Sequence, residues 1–449
     1  VTKPVLKGKI RQSLRASFWD GVFSSAMSGI VDSCLMPFAI ALGATSAQVA
    51  NLGSLPNLTA AIVQSQATGL MDWLGSRKNL IISAILAQTF FIAAMAFLPA
   101  FPASDRVTAL VGLAMFYIML GALVSPVWGS LMCEYLPPSR RSGYFGWRNQ
   151  VLGAIIVAAG FSAGLILQAF SRVSLKGFVI LFSMAALLRI CSWMNLRRMF
   201  DPHHEWHFRE RRTRLRFDPG NRKNFFRFLI FGGVMMAGVQ LCGPLQAVYF
   251  LKSLQIPYIT YMSLICASNF TMFYMMKPWG KHADISGNLN VIRSVSYFMP
   301  VIPLMLLVSK SSGYLFTVQL VSGVAWAGYN LCITNFIYDA VPPAERVRAT
   351  ALYNMVNGIG FFLGAMLGGQ LIDILPPVRG FPYLTLCILS SFVRLLAVII
   401  FLPGIQEVRR VQQVRSMDLF YSVIGLKPIP GIPRSTLLKI LQPSPQEQS

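Results

Sequence analysis

The sequence predicts an all-α integral membrane protein with twelve transmembrane helices in two pseudo-symmetric six-helix halves. Three observations carry that prediction. The 449 residues are 55% hydrophobic and only 12% charged, with a mean hydropathy of +0.57, whereas an ordinary soluble domain carries roughly 25% charged residues. Twelve apolar runs follow one another, each of about 20 residues or more and therefore long enough to cross a hydrocarbon core as a helix. One stretch is also written twice: Glu134–Gly153 recurs as Asp339–Gly358 at an offset of 205 residues.

At that offset Glu134 falls on Asp339, Pro137 and Pro138 on Pro342 and Pro343, Arg141 on Arg346, Asn149 on Asn354 and Gly153 on Gly358. The same step carries Arg189 onto Arg394, both inside apolar runs. A long period of this kind marks a duplicated architecture.

The first run, 17–42, follows a basic opening (1–16) and is too long for the apolar core of a signal peptide, so it reads as a retained span. The initial Val is compatible with a bacterial GTG start or with a trimmed chain. Runs at 47–70, 79–101, 107–135, 144–170 and 177–199 complete the first half, 17–199. A polar segment, 200–223, divides the chain. Runs at 225–251, 256–279, 289–309, 313–340, 348–374 and 382–404 build the second half, 224–404, ahead of a tail at 405–449 that turns rich in Pro, Gln and Ser.

Lys and Arg number 39 against 16 Asp and Glu. In a soluble protein that balance suggests nucleic acid. Here the basic residues alternate with apolar runs on one side: Lys3, Lys7, Lys9, Arg11 and Arg15, then Arg77 and Lys78, Arg140, Arg141 and Arg148, the central segment, Lys281, Arg346 and Arg348, and Arg409 and Arg410. The positive-inside rule then makes both termini cytoplasmic, in a multi-pass protein of a bacterial plasma membrane. All seven cysteines lie in apolar runs, which implies neither a disulfide framework nor a zinc motif. His203, His204 and His207 in the central segment could approach one another as metal ligands, but a basic juxtamembrane loop favours a headgroup-facing role.

Two short turns carry the most specific signal. Thr68–Lys78 (TGLMDWLGSRK) and Gly280–Asn290 (GKHADISGNLN) share Asp-x-x-Gly at Asp72 and Gly75, and again at Asp284 and Gly287. Each occupies the turn between the second and third runs of its half. The pattern resembles the signature loop of the major facilitator superfamily; Leu70, Asp72, Gly75, Arg77 and Lys78 match it, and the second copy lacks the basic pair. The resemblance covers residues 10–405 and implies a twelve-span secondary transporter. It further implies a cytoplasmic gate in which Asp72 meets the region of Arg346, and Asp284 that of Arg141. The arginine found in span four of many proton-coupled members is absent, since Tyr117 stands four residues before Gly121.

By the same resemblance, spans one, four, seven and ten line a central cavity near the bilayer midplane. Span one presents Gly21, Ser25, Ser28 and Asp32 at helical spacing, span four offers Tyr117 and Trp128, span seven Gln240 and Gln246, and span ten Gln319, Trp326, Tyr329 and Asn330. Polar groups facing lipid are costly, so these stripes must face protein or water. The ionisable residues within spans are Asp20, Asp32, Arg189 and Arg394. Asp20, near the end of span one, is expected to reach water, while Asp32 is expected to pair with Arg189 or a cationic solute, or to carry a proton. The position 205 beyond Asp32 is Ala237, so such a pair has no counterpart in the second half.

The functional expectation is a secondary active transporter that moves a small polar or amphipathic organic solute by alternating access, with coupling to protons an open question. The alternative is a membrane scaffold or assembly factor that keeps the fold without transport. No enzyme constellation is present, and the expected partners are a solute, lipid and possible coupling protons, with no nucleic acid, no cofactor, no metal and a monomeric state.

Overall fold

The computed structural model of the protein describes residues 3–66, 76–136, 138–170, 175–201, 219–342 and 345–408. Within these the chain is almost wholly helical. The first half supplies α1 (Lys3–Ala41), α2 (Ser46–Ser65), α3 (Arg77–Phe97), α4 (Arg106–Tyr135), α5 (Pro138–Phe170) and α6 (Lys176–Arg197). The second supplies α7 (Pro219–Cys242), α8 (Leu245–Val248), α9 (Tyr258–Ser286), α10 (Asn288–Phe298), α11 (Val301–Met305), α12 (Ser312–Ala340), α13 (Arg346–Leu371) and α14 (Pro382–Phe401). The extra helices arise because two spans are interrupted. Gly243 and Pro244 separate α7 from α8, which continues as a π-helical turn at Tyr249–Ser253, and Met299–Pro300 separates α10 from α11.

Nine segments among the described residues are long and apolar enough to span a membrane, including Arg222–Ser253 as one unit. The remaining three forecast runs also fold as helices, but their composition is weaker. α2 carries Gln48, Asn51, Asn57 and Gln64, α9 ends in Lys277, Lys281, His282 and Asp284, and the break at Pro300 shortens α10. Twelve membrane helices in two halves is therefore the architecture.

Local chemistry fixes the turn after α1. The helix closes on Gly43 at φ +88°, where the amides of Gly43 and Ala44 return to the carbonyls of Ile40 and Ala39. Thr45 then caps α2, its hydroxyl accepting from the Gln48 amide while the Gln48 side chain accepts from the Thr45 amide.

The chain packs as two compact units. Of the described residues, one comprises those within 1–213, 239–266 and 357–386; the other comprises those within 214–238, 267–356 and 387–408. In the first, α1 lies against α5 and α6, α2 against α4, and α3 against α4 and α6. Leu80, Ile81, Ala84, Val127, Leu131, Met132 and Leu196 form an apolar cluster among these helices. Close approach depends on small residues: a Cβ at Gly29 would lie 2.5 Å from the Ile156 carbonyl oxygen, so α1 and α5 touch backbone to backbone. In the second unit α10 packs on α12, and a Cβ at Gly328 would meet the Trp279 ring at 3.0 Å.

Candidate solute cavity

Within the first unit, α1, α3, α4, α5 and α6 enclose a cavity of about 410 Å³, a size typical of small-molecule sites at roughly 300–1,000 Å³. One face of α1 supplies its spine. Asp20, Ser24, Ser28 and Asp32 stand four residues apart, so they line up along one side of the helix.

From the end of α1 that follows the basic opening, the first group met is Arg148 of α5. Its Nη2 donates to the Ser17 carbonyl at 3.3 Å, and its guanidinium lies 4.4 Å from the Trp128 ring centroid. That approach requires Gly21, where a Cβ would stand 2.5 Å from Arg148 Nη2. Asp20 comes next and accepts a 2.6 Å hydrogen bond from the Ser192 hydroxyl of α6. Arg189, one turn earlier on α6, donates to Ser192 Oγ at 3.2 Å and to Ser24 Oγ at 2.8 Å. A single relay thus runs from Ser24 through Arg189 and Ser192 to Asp20. Four residues further along α1, Ser28 lines the same cavity as Tyr117. Asp32 closes the series and accepts from the Tyr117 hydroxyl at 3.1 Å.

The amide of Gln88 on α3 donates to the Tyr117 carbonyl at 2.7 Å, an approach made beside Gly121, where a Cβ would stand 3.1 Å from Gln88 Nε2. Gln88 Oε1, Trp128 Nε1, Arg148 Nε and Arg189 Nε are buried and have no hydrogen-bond partner among the described residues. Orphaned polar atoms are rare in packed interiors, so four around one cavity mark it as more than scaffold.

The structure brings together Ser28, Asp32, Tyr117, Trp128 and Arg189 of the sequence-derived set, all lining this cavity. It corrects two expectations. Asp20 is only 6% exposed and engaged by Ser192, so it does not reach water. Arg189 is bound to Ser24 and Ser192 and does not pair with Asp32, because it meets α1 two turns below that carboxylate. Asp20, Ser24, Gln88, Arg148 and Ser192 were not singled out as cavity residues; the four-residue recurrence from Asp20 to Asp32 was the available signal for the first two.

Gln319 and Tyr329 are buried, Tyr329 packing edge-on against Trp326 with centroids 5.7 Å apart, while Gln240 and Gln246 are half-buried. Asn330 is exposed, its amide 3.5 Å from the Met272 sulfur. Arg394 donates to the Met299 carbonyl at 3.0 Å, at the break between α10 and α11.

Of the gate residues, Asp72 and Gly75 lie outside the described residues, as does the side chain of Arg141. Gly287 adopts φ +90°, the left-handed conformation that favours glycine at a tight turn, with Asp284 exposed beside it. Asn288 beside that turn donates to Asp339 at the end of α12 at 2.7 Å, and Arg346 Nε donates to the Tyr338 carbonyl at 3.1 Å. Lys78 is half-buried, and Arg77 forms a buried ion pair with Asp201. The His203, His204 and His207 cluster lies outside the described residues, among which no group of three metal-ligating side chains occurs.

The family model described as Major Facilitator Superfamily matches residues 21–365 and, in a second match, 228–434. Among solved structures the chain is similar to a mutant of the nucleoside transporter NupG at 13% identity, covering 87% of this chain and 100% of that one with a TM-score of 0.69. It is similar to a bacterial homologue of the iron transporter ferroportin in its inward-facing state at 15% identity, covering 87% and 98%, with a TM-score of 0.66. A D-xylose-proton symporter matches at 12% identity, covering 91% and 100%, with a TM-score of 0.63. No curated protein sequence matches the chain. At these identities the structural likeness speaks to the fold alone.

Proposed function

Because the chain belongs to the Major Facilitator Superfamily, we propose that it is a secondary active transporter, carrying a small polar or amphipathic organic solute across a plasma membrane by alternating access. The observation that carries this reading is the polar cavity of the first unit, in which Asp20, Asp32, Arg148 and Arg189 stand with serines, Gln88 and Tyr117 within helices that are otherwise long apolar runs. Charges at membrane depth are expensive enough to imply work on a solute or ion. The two halves, 17–199 and 224–404, are the bodies that rock, with both termini and the 200–223 segment on the cytoplasmic side. The turns at Asp72 and Asp284, with Arg141 and Arg346, latch that side.

Small-residue packing inside the first unit supports a closed far end. A Cβ at Gly53 would lie 2.6 Å from the Pro244 ring and one at Gly369 2.6 Å from Ala50 Cβ, while Lys252 Nζ donates to the Ala44 carbonyl at 2.9 Å. Asp32 is the coupling carboxyl in this reading: protonated in one state, ionised in the other. The purified protein in proteoliposomes with an imposed pH gradient should accumulate solutes drawn from the extract of a deletion strain. An Asp32→Asn protein should lose accumulation. Absence of any flux, together with co-purification of one stoichiometric partner, would favour the scaffold instead.

A further inference from the structure

We infer that the solute taken by this cavity is an organic cation, a protonated amine, that pairs with Asp32; this rests on the transporter reading above and narrows it. Two arginines and two aspartates line the cavity, so its formal charge is balanced. The charges are not evenly spread. Arg189 reaches Asp20 through the shared Ser192 hydroxyl, and Arg148 crosses α1 at Ser17 and Gly21, beside Asp20. Both arginines therefore gather around one carboxylate. Asp32 stands apart: it lies eight residues beyond Ser24, about 12 Å along the helix, and no cationic side chain among the described residues comes within 4.0 Å of it.

Exposure separates the poles further. Arg148 and Arg189 are 7% and 5% exposed, one covered by Trp128 and the Ser17 carbonyl, the other held by two serine hydroxyls. The Nε–H of each is unpaired but buried, so an anionic solute would have to open that packing to reach a guanidinium. Asp32 is open to the cavity and holds one hydrogen bond, from Tyr117. A carboxylate retains acceptor positions when only one is used, and these suit the N–H donors of an ammonium group. A bare metal ion would want six or more oxygens in a shell, which one carboxylate and one phenol do not provide. The hydroxyls of Ser24, Ser28 and Ser125 and the Gln88 amide offer hydrogen bonds to the polar body of the same solute.

The test is a head-group series on one body, using 2-phenylethylamine, 2-phenylethanol and 3-phenylpropanoate, read by calorimetry and thermal shift on the detergent-solubilised protein. The amine should bind and stabilise, with the alcohol and acid weaker by at least about 30-fold, since an unpaired charge loses a desolvated partner. Asp32→Asn should remove that preference and Asp32→Glu should retain it. If Asp32→Asn does not fold, the series on the parent protein decides. Preference for the acid, or no discrimination, overturns the inference. Because binding is read without transport, the two readings fail separately. Flux of a neutral or anionic solute with no amine binding sinks the cation assignment alone. Amine binding without flux sinks the transporter reading alone.

Discussion

Arg77 and Asp201 form an ion pair, Nη2 to Oδ1 at 3.0 Å, with side chains 0% and 1% exposed. The pair joins the start of α3 to the residue where the central segment leaves α6. Around it the Tyr135 hydroxyl donates to the Phe200 carbonyl and the Phe200 amide donates to Ser13 Oγ, so that α1, α3 and α4 all grip residues 200–201. The signature-loop arginine thus acts as an anchor within the first unit, whatever the adjacent turn does as a latch. Removing one partner of a buried pair strands the other charge, at a cost of about 3–5 kcal/mol. Arg77→Ala should therefore lower stability by that order, and Arg77→Ala with Asp201→Ala should recover a large part of it. Thermal unfolding of the four proteins measures this; equal loss in the single and double variants would contradict the pairing.

Ser192 is the hinge of the polar relay, accepting from Arg189 and donating to Asp20. Ser192→Ala would leave a buried carboxylate without that donor, which costs about 1–3 kcal/mol. Ser192→Thr keeps the hydroxyl and should cost less. If alanine and threonine are equally tolerated, Asp20 is held by other means.

The far end of the first unit supplies a conformational test. Ser54 is fully buried among helices joined by the close contacts of Gly53 and Gly369. A leucine at position 369 would collide with α2 at Ala50, so Gly369→Leu should push the seam apart. Ser54→Cys should resist a maleimide reagent in the parent and react at least tenfold faster beside Gly369→Leu, an expectation scaled to a seam cost of about 1.4 kcal/mol. Unchanged labelling would mean that this packing does not hold the end shut.

The spans were legible because membrane helices must satisfy their backbone internally and expose apolar side chains, which leaves long hydrophobic runs in the sequence. Asp32 and Arg189 stood out for the same reason, as charges inside such runs. Their partners did not. Ser24 meets Arg189 across 165 residues of sequence, with Ser192 on the same guanidinium, and a serine in an apolar helix looks like ordinary packing until its neighbour is known. Arg148 sat close to a loop and read as a cytoplasmic charge, yet it turns inward over Trp128. Its repeat-related position, 205 residues on, is Tyr353, which stacks on Phe228 at 5.6 Å. The breaks at Gly243–Pro244 and Met299–Pro300 were written in proline, but a proline inside a long apolar run fixes neither a kink nor its angle.

The repeat-related arginines give the last prediction. Arg189 lines the cavity, whereas Arg394 serves as a strut. Its guanidinium donates to the Met299 carbonyl where α10 gives way to α11, and its stem packs over Gly238, where a Cβ would lie 2.9 Å from Arg394 Cγ. Methionine matches the length of the stem without the donors. Arg394→Met should therefore lose about 1–3 kcal/mol of stability by leaving a buried carbonyl short of a partner, with affinity for the transported solute unchanged. Arg189→Met should shift solute affinity by tenfold or more, because the same change removes one of the two cations that balance Asp20 and Asp32 in the cavity, about 1.4 kcal/mol for each factor of ten. Binding and thermal unfolding measured on both variants separate the roles. Equal affinity losses would mean that the second half contributes its arginine to the solute site, and equal stability losses with no change in affinity would make Arg189 a strut as well.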